Sequence, residues 1–118
     1  MKVSLKELTA KIPGEPSAQW PQGERYALGF EHGTMSFGLY APVGTDPQRP
    51  HQRDEIYIVR SGKSAFVLEG SRFDLVAGDA VFVPAGAAHR FEDFSTDFST
   101  WVVFWGPSGG ESSGSERR

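Results

Sequence analysis

Between Glu55 and Trp105 the chain runs through short apolar, β-branched and aromatic stretches that are broken by turn residues and never by a segment long enough for a helix. The stretches are Glu55 to Arg60, Ser64 to Glu69, Arg72 to Val76, Ala80 to Val83, Ala88 to Glu92 and Phe98 to Trp105. Their separators are Ser61-Gly62-Lys63, Gly70-Ser71, Gly78-Asp79 and Pro84-Ala85-Gly86. Runs of this length and composition form strands. Turns this short favour antiparallel hairpins, and so many strands in a small domain favour a closed barrel or sandwich. Upstream, Met35 to Tyr40 alternates at period two, so Met35, Phe37 and Leu39 share one face. The expected fold class is all-β, with a barrel running from about Met35 to about Trp105.

The first residues differ in pattern. Ser4-Leu5-Lys6-Glu7 has the form of a capping box, and Leu5, Leu8 and Ile12 fall on one face of a short helix that Pro13-Gly14 ends. This helix is expected near Leu5 to Lys11, packed outside the barrel. Glu15 to Gln22 is rich in Pro, Gln and Ser and reads as an extended connection anchored by Trp20. The expected organisation is therefore a helix and arm over residues 1–34, a barrel over 35–106, and a disordered Gly/Ser-rich tail over 107–118 with nothing to bury.

With 118 residues and 38% apolar content, the chain can build one core, and a second is not expected. A net charge of -3 supplies no cationic field for a phosphate backbone, so nucleic acid is set aside. The absence of cysteine excludes disulfides, thiolate zinc sites and a cysteine nucleophile. Lys2 and Lys6 come without the apolar run of a signal peptide, and no stretch approaches the ~18 apolar residues of a membrane span. A cytoplasmic protein without a membrane partner is expected.

Of the three histidines, His51 and His89 sit at strand entrances beside turn signals. His51 and Glu55 have helical spacing, but Ile56-Tyr57-Ile58-Val59 is a strong strand former, which rejects the helix. Four residues of ideal strand span ~13 Å, whereas two ligands of one zinc-like ion each lie ~2 Å from it. If both bind one ion the chain must bend between them, and Pro50 with the polar Gln52-Arg53-Asp54 allows it.

The segment from His51 through Glu55 to Gly62 resembles the first cupin motif, in which two histidines spaced by one residue precede a glutamate and then a glycine. Gly78 to His89, with Pro84 and Gly86 between them, is similar to the second motif, and Asp93 stands where that motif ends in asparagine. The resemblance covers roughly Met35 to Gly106. It implies a double-stranded β-helix, a jelly-roll-like barrel, commonly holding one divalent metal ion on histidines and a glutamate. Here that set is His51, Glu55 and His89, since the first motif histidine falls on Arg49, a cation that cannot ligate a metal. Iron, manganese, zinc and nickel all accept two imidazoles and a carboxylate.

Arg49 has three possible roles: holding a substrate carboxylate in its planar fork of donors, turning outward, or placing its charge at the metal position of a metal-free barrel. Without a metal, His51 and His89 would bond each other, Glu55 or water, and Glu55 would pair with Arg49 or Arg53. His32 is expected at a solvated hairpin tip, outside the site. Period two places Tyr57 on the inward face of Glu55 and Phe91 on that of His89, which makes both candidates for lining the cavity. Asp93 either orients a ligand or ends its strand.

Two functions from different classes remain. One is a metal-dependent enzyme acting on a small organic molecule, with Glu55 as a candidate catalytic proton carrier. The resemblance spans dioxygenases, isomerases, decarboxylases, lyases and cyclases. The other is a non-catalytic module that recognises an acid through Arg49 and the histidines; a storage role is improbable for one short domain. The expected partners are a small-molecule ligand and, as in related small cupins, a second copy joined through the outer strands.

Overall fold

The computed structural model describes residues 1–112. Ser4 caps α1 (Leu5–Thr9), its hydroxyl oxygen accepting the Glu7 N–H at 3.1 Å and lying 3.2 Å from the Glu7 carboxylate. The box thus closes through the Ser4 hydroxyl, and the helix ends a turn-fraction earlier than Lys11. Leu8 is fully buried beneath it, against Ala27 and Leu39, with Phe37 and Trp101 alongside. This cluster lies on the outer side of the sheet, as the amphipathic pattern of the helix requires.

Among the described residues eight strands follow: β1 (Tyr26–His32), β2 (Met35–Tyr40), β3 (Asp54–Ser61), β4 (Lys63–Leu68), β5 (Ser71–Val76), β6 (Ala80–Val83), β7 (His89–Glu92) and β8 (Ser99–Trp105). They form a five-stranded sheet in the order β1-β2-β8-β3-β6 and a three-stranded sheet in the order β5-β4-β7, with every pair antiparallel. The main core lies between the sheets, where Tyr57, Val59, Phe66, Leu75, Phe91, Phe98 and Val102 are all buried.

The strands of the sequence reading are present, but their connections differ in kind. Glu69 and Gly70, both at positive φ (48° and 83°), make the two-residue hairpin turn between β4 and β5. Gly62 is no hairpin residue: β3 and β4 belong to different sheets, and the chain crosses between them there. Gly62 has φ 74°, and a Cβ on it would sit 2.4 Å from Ser95 Oγ and 2.8 Å from Asp97 Oδ1, so only glycine fits.

Two expected boundaries move. The sheet begins at Tyr26, inside the segment assigned to the arm, because β1 pairs with β2 along its length; a register shift between Leu28 and Phe30 breaks the period-two pattern that would have revealed it. At the other end, the described part of the tail docks. Gly109 N–H donates to the Gln52 carbonyl at 2.6 Å and Glu111 N–H to Asp54 Oδ2 at 2.9 Å. A segment without apolar side chains can still be held by its backbone donors, and the buried Asp54 carboxylate supplies an acceptor. Residues 113–118 lie outside the described residues.

Candidate metal centre

Glu55, Tyr57 and Val59 alternate inward along β3 while Ile58 and Arg60 face out. Glu55 is thereby set on the inner wall, 1% exposed. His89 opens β7 on the opposite sheet, with its side chain 0% exposed. His51 comes from the β2–β3 connection, which is bent by backbone bonds: the His51 carbonyl accepts Gly86 N–H at 2.7 Å, and its neighbour Gln52 accepts Gly109 N–H. The bend expected around Pro50 is real, and the turn after β6 holds it in place.

Closure of the barrel unites the three residues. His89 Nε2 lies 3.5 Å and His51 Nε2 3.8 Å from Glu55 Oε1, and one donor atom from each of the three lies within 4.8 Å of the others. The imidazole rings stand 5.1 Å apart between centroids. His89 Nδ1 is 2.9 Å from the Ala87 carbonyl, which must accept its proton, so the Nε2 lone pair faces the cluster. Glu55 Oε1 is buried without a hydrogen-bond partner among the described residues. A carboxylate oxygen so placed is costly unless a cation meets it, which is the condition a metal ion fulfils.

The electrostatics agree. Burial pushes Glu55 up to about 8, with the Tyr57 hydroxyl pulling the other way and the charge of Asp46 adding to the rise. Burial, reinforced by His89, lowers His51 to about 4. At neutral pH the His51–Glu55 contact is therefore between a neutral imidazole and a carboxyl that keeps its proton, not an ion pair. A neutral His51 imidazole, the His89 Nε2 turned to the cluster and an acid that deprotonates next to a cation form a set suited to a divalent ion.

The trio stands beside a cavity of about 420 Å³, whose lining includes His51, Glu55, Tyr57, Arg53, Phe104 and Trp20. Arg53 carries its guanidinium 5.5 Å from the Phe104 ring centre and donates to the Thr34 carbonyl. Tyr57 is buried, its hydroxyl 2.8 Å from Gln48 Oε1 and 3.2 Å from His89 Nε2, and burial holds its pKa well above the ordinary phenol value.

Two sequence assignments do not hold. Arg49 is exposed and does not line the cavity; in the extended stretch before Pro50 neighbouring side chains point oppositely, and Gln48 takes the inward place. Phe91 is 1% exposed and packs on Tyr57, Phe66 and Phe98, so it is core and not cavity wall. Asp93 has φ 52°, follows the end of β7 and pairs with Arg72 at 2.7 Å on the surface. His32 is exposed at the β1–β2 turn, away from the site.

Sequence reasoning also missed a polar shell. Gln48 Oε1 lies 3.1 Å from His51 Nε2, while Gln48 Nε2 donates to Asp46 Oδ2 at 2.7 Å. Asp46, 3% exposed, also accepts the Tyr40 hydroxyl at 2.5 Å and the Phe91 N–H at 2.9 Å. Both lie in a Pro- and Gly-rich loop whose sequence signals only a turn. Trp20 closes the cavity from the arm, edge-on to Tyr40 at 6.5 Å.

Comparison with known proteins places these features. The profile of the cupin domain matches residues 37–104. An uncharacterised protein of Streptomyces coelicolor, SCO3923, is 45% identical over 75 residues, covering 62% of this chain and 71% of its own. A Cupin 2 conserved barrel domain protein from Salinispora arenicola superposes with a TM-score of 0.51 at 29% identity, covering 61% of each chain. The protein NMB1881 from Neisseria meningitidis superposes with a TM-score of 0.66 over 90% of this chain and all of its own (100%), at 20% identity, a likeness of fold alone.

Proposed function

The chain belongs to the cupin family, and on that premise we propose that it is a metal-dependent enzyme acting on a small, carboxylate-bearing organic molecule. The observation that carries the proposal is the buried, partnerless Glu55 Oε1 facing the Nε2 atoms of His51 and His89. His51, Glu55 and His89 would hold one divalent ion, iron, manganese, zinc or nickel. Bound there, the ion supplies Lewis acidity to a substrate oxygen. The remaining work falls to the chain. Arg53 is the cation of the cavity wall, and its fork of donors suits a substrate carboxylate. Tyr57 keeps its proton at neutral pH and donates it to Gln48 Oε1 in the cavity lining. Phe104 and Trp20 exclude water from the apolar side.

The test is metal analysis of protein purified without a histidine tag or chelator. About one ion per chain, lost in Glu55→Ala and retained in His32→Ala, is the expected result. Equal metal content in wild type and Glu55→Ala refutes the site.

A second reading, a metal-free pocket for an organic acid, is favoured by one observation: His51, Gln48, Tyr57 and Asp46 already form a connected hydrogen-bond chain. Under both readings Arg53→Ala should weaken a carboxylate probe by ~1.5–3 kcal/mol, the scale of a hydrogen bond to a charged group, and the exposed Arg49→Ala should not. Only under the second is probe affinity indifferent to chelator. A homodimer belongs to the same proposal; Ile58 and Phe82, 39% and 50% exposed on the outer side of β3 and β6, support pairing there, and sedimentation of Phe82→Asp tests it.

A further inference from the structure

Gln48 is held in an unusual way for a loop glutamine. Its amide nitrogen donates to Asp46 Oδ2 at 2.7 Å, and Asp46 is 3% exposed and itself tied to Tyr40 and to the Phe91 backbone. The amide therefore cannot turn over: exchanging its ends would set the carbonyl oxygen against a buried carboxylate. Its oxygen is aimed at the cluster, 3.1 Å from His51 Nε2 and 2.8 Å from the Tyr57 hydroxyl.

Without an ion this arrangement is satisfied, because the oxygen has two lone pairs and accepts from Tyr57 O–H and from His51 Nε2–H. With an ion it is not. Binding to metal requires a lone pair on His51 Nε2, so the proton must move to the other ring nitrogen. Two lone pairs, on His51 Nε2 and Gln48 Oε1, then face one another at 3.1 Å. The Gln48 oxygen cannot leave without breaking the bond that its amide nitrogen donates to Asp46. A cation placed where both lone pairs point resolves the conflict, and Glu55 Oε1, 3.8 Å from the same His51 nitrogen, borders that place.

From this geometry we infer that Gln48 Oε1 is a fourth ligand of the ion, an amide oxygen completing the set of His51, Glu55 and His89. The inference rests on the metal-site reading above. It assigns Asp46 the role of a positioning residue that fixes the amide, and it keeps Tyr57 bonded to the second lone pair of the ligating oxygen. A neutral oxygen donor leaves the net charge of the site at that of one carboxylate against the two charges of the ion, so the loaded site stays cationic and attracts an anionic ligand.

The test uses Co(II) alone as probe, titrated into wild type, Gln48→Leu and His32→Ala and followed by visible absorption, together with a crystal structure of the Co(II)-loaded wild type. Expected are an Oε1–Co distance of ~2.0–2.3 Å, a changed absorption envelope in Gln48→Leu, and at least a tenfold weaker Kd there, with His32→Ala unchanged. Melting of the metal-free variants checks that Gln48→Leu folds; should it not, the loaded wild-type structure decides. Tight Co(II) binding with Oε1 beyond 3 Å of the ion, or an unaltered Kd and spectrum in Gln48→Leu, overturns the assignment of Gln48 alone. Failure of wild type to bind Co(II) overturns the metal-site reading and this inference with it.

Discussion

His89 and His51 bring the same imidazole to the same place by opposite means. His89 stands on a strand, its side chain 0% exposed, its Nδ1 fixed by the Ala87 carbonyl and its ring packed among Tyr57 and Phe66. His51 stands on a loop, 34% exposed, edge-on to Phe104 and bonded to Gln48. One half of the site is thus part of the core, and the other is laid over it and pinned at its backbone. A barrel can keep the first rigid while the second adjusts by the fraction of an ångström that ligation needs, since packed interiors yield less readily than loops.

The largest effect that could break this contrast is on stability. His89→Ala should destabilise the metal-free protein by ~2–4 kcal/mol through the cavity it leaves, while His51→Ala should cost less than ~1 kcal/mol, both read by chemical denaturation; equal losses would abolish the distinction. Glu55→Leu comes next. Removing a buried carboxyl with an unpartnered oxygen should stabilise the metal-free protein by ~1–3 kcal/mol and abolish its stabilisation by added metal. A loss of stability in that variant would mean that Glu55 has a protein partner.

The pH dependence sharpens the contrast further. Glu55, raised to about 8, contributes stability to the metal-free fold that is full below the unfolded value near 4.5 and lost as pH rises through 8. His51, lowered to about 4, contributes stability present above 6.5 and lost as pH falls through 4. Metal needs both groups free of protons at the ligating atoms. Up to about pH 8 the Glu55 carboxyl holds a proton that the ion must displace, so affinity should keep rising with pH until about 8. Calorimetry at pH 7 in buffers of different ionisation enthalpy should find about one proton released per ion. An affinity that levels off well below pH 8 would contradict the burial argument for Glu55.

The smallest expected effect concerns the docked tail. Deleting residues 107–118 removes the bonds to Gln52 and Asp54 and should cost ~1–2 kcal/mol. Because Gln52 adjoins His51, it should also weaken metal binding by severalfold. An unchanged denaturation midpoint would mean that the loop half of the site holds itself.

Much of this was legible in the sequence, and what was not has physical causes. Strand composition and turn residues locate β2 through β8, and His51, Glu55 and His89 stand out because the histidines sit at strand entrances beside turn signals and all three fall at spacings that resemble the two cupin motifs. Motif spacing, however, fixes positions along the chain and not the direction of a side chain. Spacing alone therefore leaves Arg49 free to face either way, and it is Gln48, one residue earlier, that turns inward, while the arginine of the cavity lining is Arg53. Phe91 was misplaced for a related reason: an inward face of a small barrel holds both cavity wall and core, and period two cannot separate them. Asp46 leaves no local signal, since it acts on Phe91, distant in the chain; Trp20 is legible as an anchor, but not that it meets Tyr40 beside the cavity.

Trp20 makes the cavity observable. Of the three tryptophans, it alone lines the pocket; Trp101 lies in the cluster beneath α1, and Trp105 lies tilted against Phe82 on the outer sheet face. The molecule therefore carries its own optical gauge, one indole whose emission responds to whatever enters the barrel and two that stay as an internal standard. Replacing Trp20 by Phe would silence that gauge and leave the rest of the signal as background, so occupancy of the pocket can be followed without a label and before any substrate has a name.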